Sequence, residues 1–360
     1  MVLTRSSLLV TALAVSAVNC APTKLEDRAA PAGVPDYVLK YAPVVYLHPD
    51  DEYMPTDIKV FLENTTPRVK FEVVPNPPKP LTLDNINQLG GDVFLTSNSD
   101  VTQNPQWIKG TKPDKNGRTQ NATTAAIIVN DKGNNTVDAF YMYFYAYNDG
   151  GKILDCDKLN FGNHIGDWEH TMVRFSHGTP QAVWYAQHAH GQAFAYAAVN
   201  KTSSGRPIAY ASRGSHASYP VAGVHDITVP NLPPGILLDY TDRGTYWDPV
   251  LSALFYRFDA GAKTFSAFGE GEVKGAPTGW LGFGGRWGDE EYPVSDARQV
   301  KMLGQAKFAS GPTGPADKQL NRDQVCPENN GMACEVRQTL VPRKVGEGGG
   351  EAPSSVVRGG

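Results

Sequence analysis

His164, Asp167 and Glu169 stand close together in the segment His164-Ile165-Gly166-Asp167-Trp168-Glu169-His170. Asp167 and Glu169 are two residues apart, so on a strand beginning near Trp168 their side chains share one side, while Trp168 and His170 take the other. Two carboxylates on one face repel each other unless something positive lies between them. A loop-borne His164 just before them supplies a further donor atom. Carboxylate oxygens with one imidazole suit a hard or borderline divalent cation, so Mg²⁺, Ca²⁺ or Mn²⁺ is expected ahead of Zn²⁺.

Seven of the eight histidines fall between 164 and 225, a density beyond what composition alone would give. His188 and His190 are also two apart at the end of a strand pattern, and His216 follows another in Arg213-Gly214-Ser215-His216-Ala217-Ser218-Tyr219. If the site is catalytic, a metal-activated water with His188 or His216 as proton carrier fits these residue types. His190, Arg213 and Tyr219 are expected to line the pocket. Ser215 and Ser218 are nearby, but there is no Gly-x-Ser-x-Gly elbow, and adjacency in sequence does not make a catalytic pair.

The elements that must position these side chains read as short strands. Glycine (36) and proline (27) are abundant, and long helical periodicity is scarce. The clearest strand is 138–147, where Tyr141, Tyr143, Tyr145 and Tyr147 alternate with Phe140, Met142, Phe144 and Ala146. Further strands are expected at 44–47, 125–129, 168–175, 182–188, 193–199, 208–213 and 236–240. Their spacing and turn signals predict an all-β fold, a single-domain sandwich of jelly-roll type. One short helix is expected at 56–63 with Thr56 as its cap, and a second at 83–89.

Residues 1–20 read as a signal peptide, a short basic start followed by an apolar run too short to span a bilayer. Cleavage fits after Ala17, Cys20 or Ala21. A small, polar linker follows at 21–35, then the folded domain at 36–335 and a Gly/Ser/Pro/Glu-rich tail at 336–360 that cannot bury a core. No transmembrane segment is expected. Passage through the secretory pathway makes the Asn-x-Thr sequons at Asn64, Asn121, Asn134 and Asn200 candidate glycan sites on exposed loops or strand edges. It also favours a local disulfide between Cys326 and Cys334, while Cys156 is left to pair with Cys20 or with either C-terminal cysteine. The net charge of -4 is spread without a basic patch, which argues against nucleic acid as a partner.

The segments Tyr41-Ala42-Pro43-Val44-Val45-Tyr46-Leu47-His48-Pro49, Gly162-Asn163-His164-Ile165-Gly166-Asp167-Trp168-Glu169-His170, Ala186-Gln187-His188, Ala211-Ser212-Arg213-Gly214-Ser215-His216-Ala217-Ser218-Tyr219-Pro220 and Gly284-Gly285-Arg286-Trp287-Gly288 resemble the vacuolar protein sorting-associated protein 62 family of fungi and plants. That resemblance implies a link to vacuolar sorting and no established chemistry. The family's Ser-Gln-His-Ser-Gly-Gly stands here as Ala186-Gln187-His188-Ala189-His190-Gly191, so His188 carries over and His190 does not.

A more distant likeness is to necrosis- and ethylene-inducing peptide-like proteins, secreted cytolysins with a Gly-His-Arg-His-Asp-Trp-Glu heptad. It implies a β-sandwich with a cation at one end, held by His164, Asp167, Glu169 and an Asp delivered by the tyrosine-rich strand, here Asp149. Gly166 replaces the heptad's second histidine. Taken together, the expected function is head-group recognition on a lipid or glycan by a secreted or vacuolar glycoprotein. The alternatives are a metal-dependent hydrolase or lyase on a polysaccharide or phosphoester, and a secreted cytolysin.

Overall fold

A computed structural model describes residues 31–153, 160–227, 235–269, 276–329, 331 and 333–340. The expected signal peptide, most of the linker, Cys20, Cys156 and the tail beyond 340 lie outside the described residues. The fold is mainly β. An eight-stranded sheet is ordered Thr264–Ala267, Ala253–Asp259, Ala125–Asp131, Thr136–Asn148, His164–Ser176, Thr179–Gln187, His190–Ala195, Val336–Arg337. Its central strands are antiparallel, but Ala253–Asp259 runs parallel to Ala125–Asp131, and Val336–Arg337 parallel to His190–Ala195.

The tyrosine-rich strand Thr136–Asn148 is buried on both faces, which is why it is apolar at every position from 139 to 147. Phe140, Met142 and Phe144 join one core with Trp168, Trp280 and Trp287, which is covered by the helix Ile58–Glu63 and by loops from both halves of the chain. Tyr141, Tyr143 and Tyr145 join the opposite core with Val45, Ala209 and Trp247. Those three residues belong to a four-stranded sheet ordered Ser218–Tyr219, Ile208–Ala211, Val44–Leu47, Thr245–Trp247, so this face is a sandwich.

Two local expectations change. The helix at 58–63 is capped by Asp57, whose Oδ1 accepts from the Lys59 and Val60 amides at 2.7 and 3.2 Å. Thr56 instead ties its hydroxyl to the sheet, accepting from the Ala146 amide at 3.1 Å. The second helix shortens to a single 3₁₀ turn at Ile86–Gln88. Cys326 and Cys334 are disulfide-bonded. Among the described residues no helix is long and apolar enough to cross a membrane.

Candidate functional site

Strand His164–Ser176 pairs with Thr136–Asn148 so that Asp167 lies opposite Tyr145 and Glu169 opposite Tyr143. Both carboxylates therefore face the tyrosine side of the sheet, and they are buried, at 4 % and 6 % exposure. Gly166 makes this register possible. It has φ +66°, and a Cβ there would lie 2.1 Å from the Trp287 carbonyl oxygen, so no side chain fits.

Asp167 is held from the facing sheet. Its Oδ2 accepts from His216 Nδ1 at 2.9 Å, and His216 Nε2 donates to the Tyr53 carbonyl at 3.1 Å. The Tyr53 carbonyl only accepts, so Nε2 carries a proton, and the raised pKa of His216 favours the imidazolium that also donates from Nδ1 to Asp167. Burial pushes its pKa down, but the Asp167 hydrogen bond and the charges of Asp51 and Asp167 outweigh burial and leave it raised. The ring lies flat on Tyr145, with centroids 3.7 Å apart. Its protons are committed, so His216 braces Asp167 and is not placed to carry protons.

Glu169 has no ion-pair partner among the described residues, and burial together with the Asp167 charge holds its carboxyl well above the usual range. His164 is half-buried and donates Nδ1–H to the Gly166 carbonyl at 2.7 Å, which leaves the Nε2 lone pair free. Burial lowers its pKa, so the neutral ring is favoured.

A second histidine–carboxylate pair stands opposite. Asp239 is buried on strand Leu237–Thr241 and accepts from Ser212 Oγ (2.8 Å), Ser215 Oγ (2.6 Å), Tyr219 OH (2.7 Å) and His188 Nε2 (2.7 Å). Burial pushes this carboxyl up, but the charge and hydrogen bond of His188, with those of Ser215 and Tyr219, hold it far below the usual range. His188 is raised in turn: burial lowers it and Asp239 more than offsets that. A third of the His188 side chain is exposed. It sits in the two-residue turn between Thr179–Gln187 and His190–Ala195 with φ +53°, a place that favours glycine or asparagine. His216 has φ +56°. Such backbone strain gathers where the side chain is needed.

Around a cavity of about 430 Å³ stand His164, Asp167, Glu169, His188, His190 and Tyr219. Asp149, the expected fourth ligand, is not among the lining side chains. Its Oδ1 accepts from Asn160 Nδ2 at 2.9 Å, and burial raises its pKa. Arg213 is exposed, and its amide donates to the Tyr240 carbonyl at 2.9 Å. The donor chemistry of His164, Asp167 and Glu169 suits a divalent cation: a neutral imidazole fixed through its other nitrogen, a carboxyl braced by a histidine, and a buried carboxyl whose raised pKa a bound cation would bring down. These donors are gathered but not preassembled, since among the described residues no three His, Cys, Asp or Glu groups stand close enough to grip an ion.

Asp239 and Asp51 lie outside the motifs that the sequence displays. Asp51 Oδ2 lies 3.6 Å from His216 Nε2 and accepts from the Gly214 amide at 2.9 Å. Asp239 carried a signal, because it shares the core-facing parity of Leu237 and Thr241 in a strand that sequence alone locates.

The chain is similar along most of its length to two curated proteins of Saccharomyces cerevisiae (strain ATCC 204508 / S288c). One is the putative vacuolar protein sorting-associated protein TDA6, 35% identical over 330 residues, 82% of this chain and 69% of that one. The other is vacuolar protein sorting-associated protein 62, 31% identical over 354 residues, 88% of this chain and 72% of that one. Among solved structures, "Toxin fold for microbial attack and plant defense" aligns at TM-score 0.28 and 9% identity, over 61% of this chain and 72% of that one. The non-toxic HaNLP3 protein aligns at TM-score 0.25 and 13% identity, over 61% and 73%. At these scores the structural likeness is too slight to place a residue. The family model for vacuolar protein sorting-associated protein 62 matches residues 14–293, which takes in the buried Asp167–Glu169 strand, both paired histidines and Asp239: the chain belongs to that family.

Proposed function

We propose that the chain is a secretory-pathway glycoprotein that recognises the polar head group of a lipid or a glycan through a divalent cation, in the service of vacuolar sorting. The observation that carries this reading is the pair of buried carboxylates, Asp167 and Glu169, on one cavity wall beside His164. His164 Nε2 and the two carboxylates would hold the ion, with Mg²⁺, Ca²⁺ or Mn²⁺ favoured over Zn²⁺. When bound, it offers open coordination positions to head-group oxygens. Asp149 is left outside the set because its carboxylate is committed to Asn160. His216 holds Asp167 in orientation through its Nδ1 hydrogen bond, and the Tyr145 ring stacks flat on the His216 ring. His188 and Tyr219, fixed on Asp239, present a polar rim to the ligand.

Liposome flotation and glycan arrays, run with Mn²⁺ or Ca²⁺ and again with EDTA, test the reading. Head-group binding that needs the cation is expected. Binding to no lipid or glycan under either condition would sink it.

His188 favours a second reading, a hydrolase or lyase. It is an accessible imidazole held on a buried, ionised carboxylate at the cavity, which is the geometry of an oriented general base. Turnover of a polysaccharide or phosphoester that His188→Gln abolishes would establish this reading over the first.

A further inference from the structure

Adjoining the first cavity at the same end of the sheet lies a second, of about 600 Å³, walled by Trp168, His170, Trp184, His190, Arg322 and Arg337. Its chemistry differs from that of the cation site. Arg322 is only 4 % exposed, yet its guanidinium meets no carboxylate among the described residues. It donates instead to the carbonyls of Lys318 (2.7 Å), Gln319 (3.2 Å) and Val325 (3.2 Å), and lies over the Phe140 and Trp184 rings. The nearest acidic candidate, Asp138, is taken by Arg174 in a two-pronged pair at 2.7 Å. A buried cation without a counter-charge is costly, and buried polar atoms are nearly always paired.

Among the described residues, ten buried side-chain nitrogens and oxygens lack a hydrogen-bond partner. Four of them, Trp168 Nε1, His170 Nδ1, His190 Nδ1 and Arg337 Nη2, belong to side chains around this one cavity. All four are nitrogens. What would satisfy them is a ligand rich in acceptor oxygens carrying negative charge.

Lys318 adds a third cationic side chain. Acidic side chains are present too, but Asp317, Glu328 and Glu335 are exposed at the rim. Asp317 is engaged by the Thr313 hydroxyl and Glu328 by the Gly331 amide. Glu169 is shared with the first cavity. The flat indole walls of Trp168 and Trp184 suit the face of a sugar or other polyol ring.

We propose that this cavity is a binding site for an oxyanion, a phosphate or carboxylate, borne on a sugar or polyol ring, with Arg322 and Arg337 pairing the charge and His190 and Trp168 donating to ring or anion oxygens. The site adjoins the cation centre, sharing Glu169, His188, His190 and Lys318 with its cavity, but its own donors need no metal.

Calorimetry on the whole chain tests it, with glucose 6-phosphate, glucuronate and inorganic phosphate as probes, glucose as the uncharged control, and EDTA throughout. Saturable binding of glucose 6-phosphate or glucuronate is expected, with phosphate weaker and glucose silent; which ring-borne anion binds tighter identifies the group. Arg337→Gln and His190→Gln, both at half-buried positions where folding should survive, should each weaken binding at least tenfold. Arg322→Met should abolish it, with circular dichroism checking the fold. Absence of binding to every charged probe, equal binding of glucose, or affinity unchanged in both Arg337→Gln and His190→Gln would overturn the proposal. Failure of cation binding at Asp167 and Glu169 would leave these results untouched.

Discussion

At the scale of single residues, the division of labour between the two paired histidines decides what the cavity can do. His216 has both protons committed between Asp167 and the Tyr53 carbonyl, whereas His188 is fixed through one nitrogen and remains accessible. His188 has a raised pKa, so its stabilising contact is fully present below the unfolded value near 6.5 and is lost as pH rises through the folded value. Asp239, held low, loses its contribution only in acid, below about pH 4. Urea unfolding of wild type and His188→Gln should therefore differ most between about pH 4 and 6.5, by on the order of 1 kcal/mol given the exposure of His188. The gap should close above that window, and a constant gap from pH 5 to 9 would contradict the pairing. Strand alternation made the shared face of Asp167 and Glu169 readable from sequence. The four donors on Asp239 were not readable, because His188 and the 212–219 segment meet the Asp239 strand only when the sheets fold together.

At the scale of elements, the strands were the most legible feature, since apolar runs bounded by turns mark them. Residues 44–47 fold as expected, the strand expected at 208–213 ends at Ala211, and the tyrosine-rich strand is longer than its pattern suggested because both of its faces are covered. Hidden from sequence was the pairing of Ala253–Asp259 with Ala125–Asp131, a parallel contact across more than a hundred residues. The helix cap moved by one residue because Thr56 finds a partner in the sheet that local propensity does not register. The glycine between His164 and Asp167 now has a physical reason. Gly166→Ala would press a methyl group into the Trp287 carbonyl at a positive φ, and should cost about 2 kcal/mol or more. Thermal unfolding measures it, and a melting temperature within a degree of wild type would show that the close approach is not needed.

At the scale of the whole molecule, two adjoining cavities open at one end of the great sheet and share Trp168, Glu169, His188 and His190. The proposed secretory passage also has a readout here. Asn121, Asn134 and Asn200 are exposed, whereas Asn64 is half-buried at a helix end and donates its amide nitrogen to the Val60 carbonyl at 2.8 Å. Peptide mapping of chain secreted from a eukaryotic host should find glycans on the first three and low occupancy at Asn64, and an unglycosylated product would argue against that route. Calorimetric titration of Mn²⁺ and Ca²⁺ into the whole chain tests the central claim most directly. One ion per chain is expected, with binding lost in Asp167→Asn and in Glu169→Gln while circular dichroism stays unchanged and Asp149→Asn still binds. Wild type that takes up neither ion, or takes it up equally after both substitutions, would contradict it.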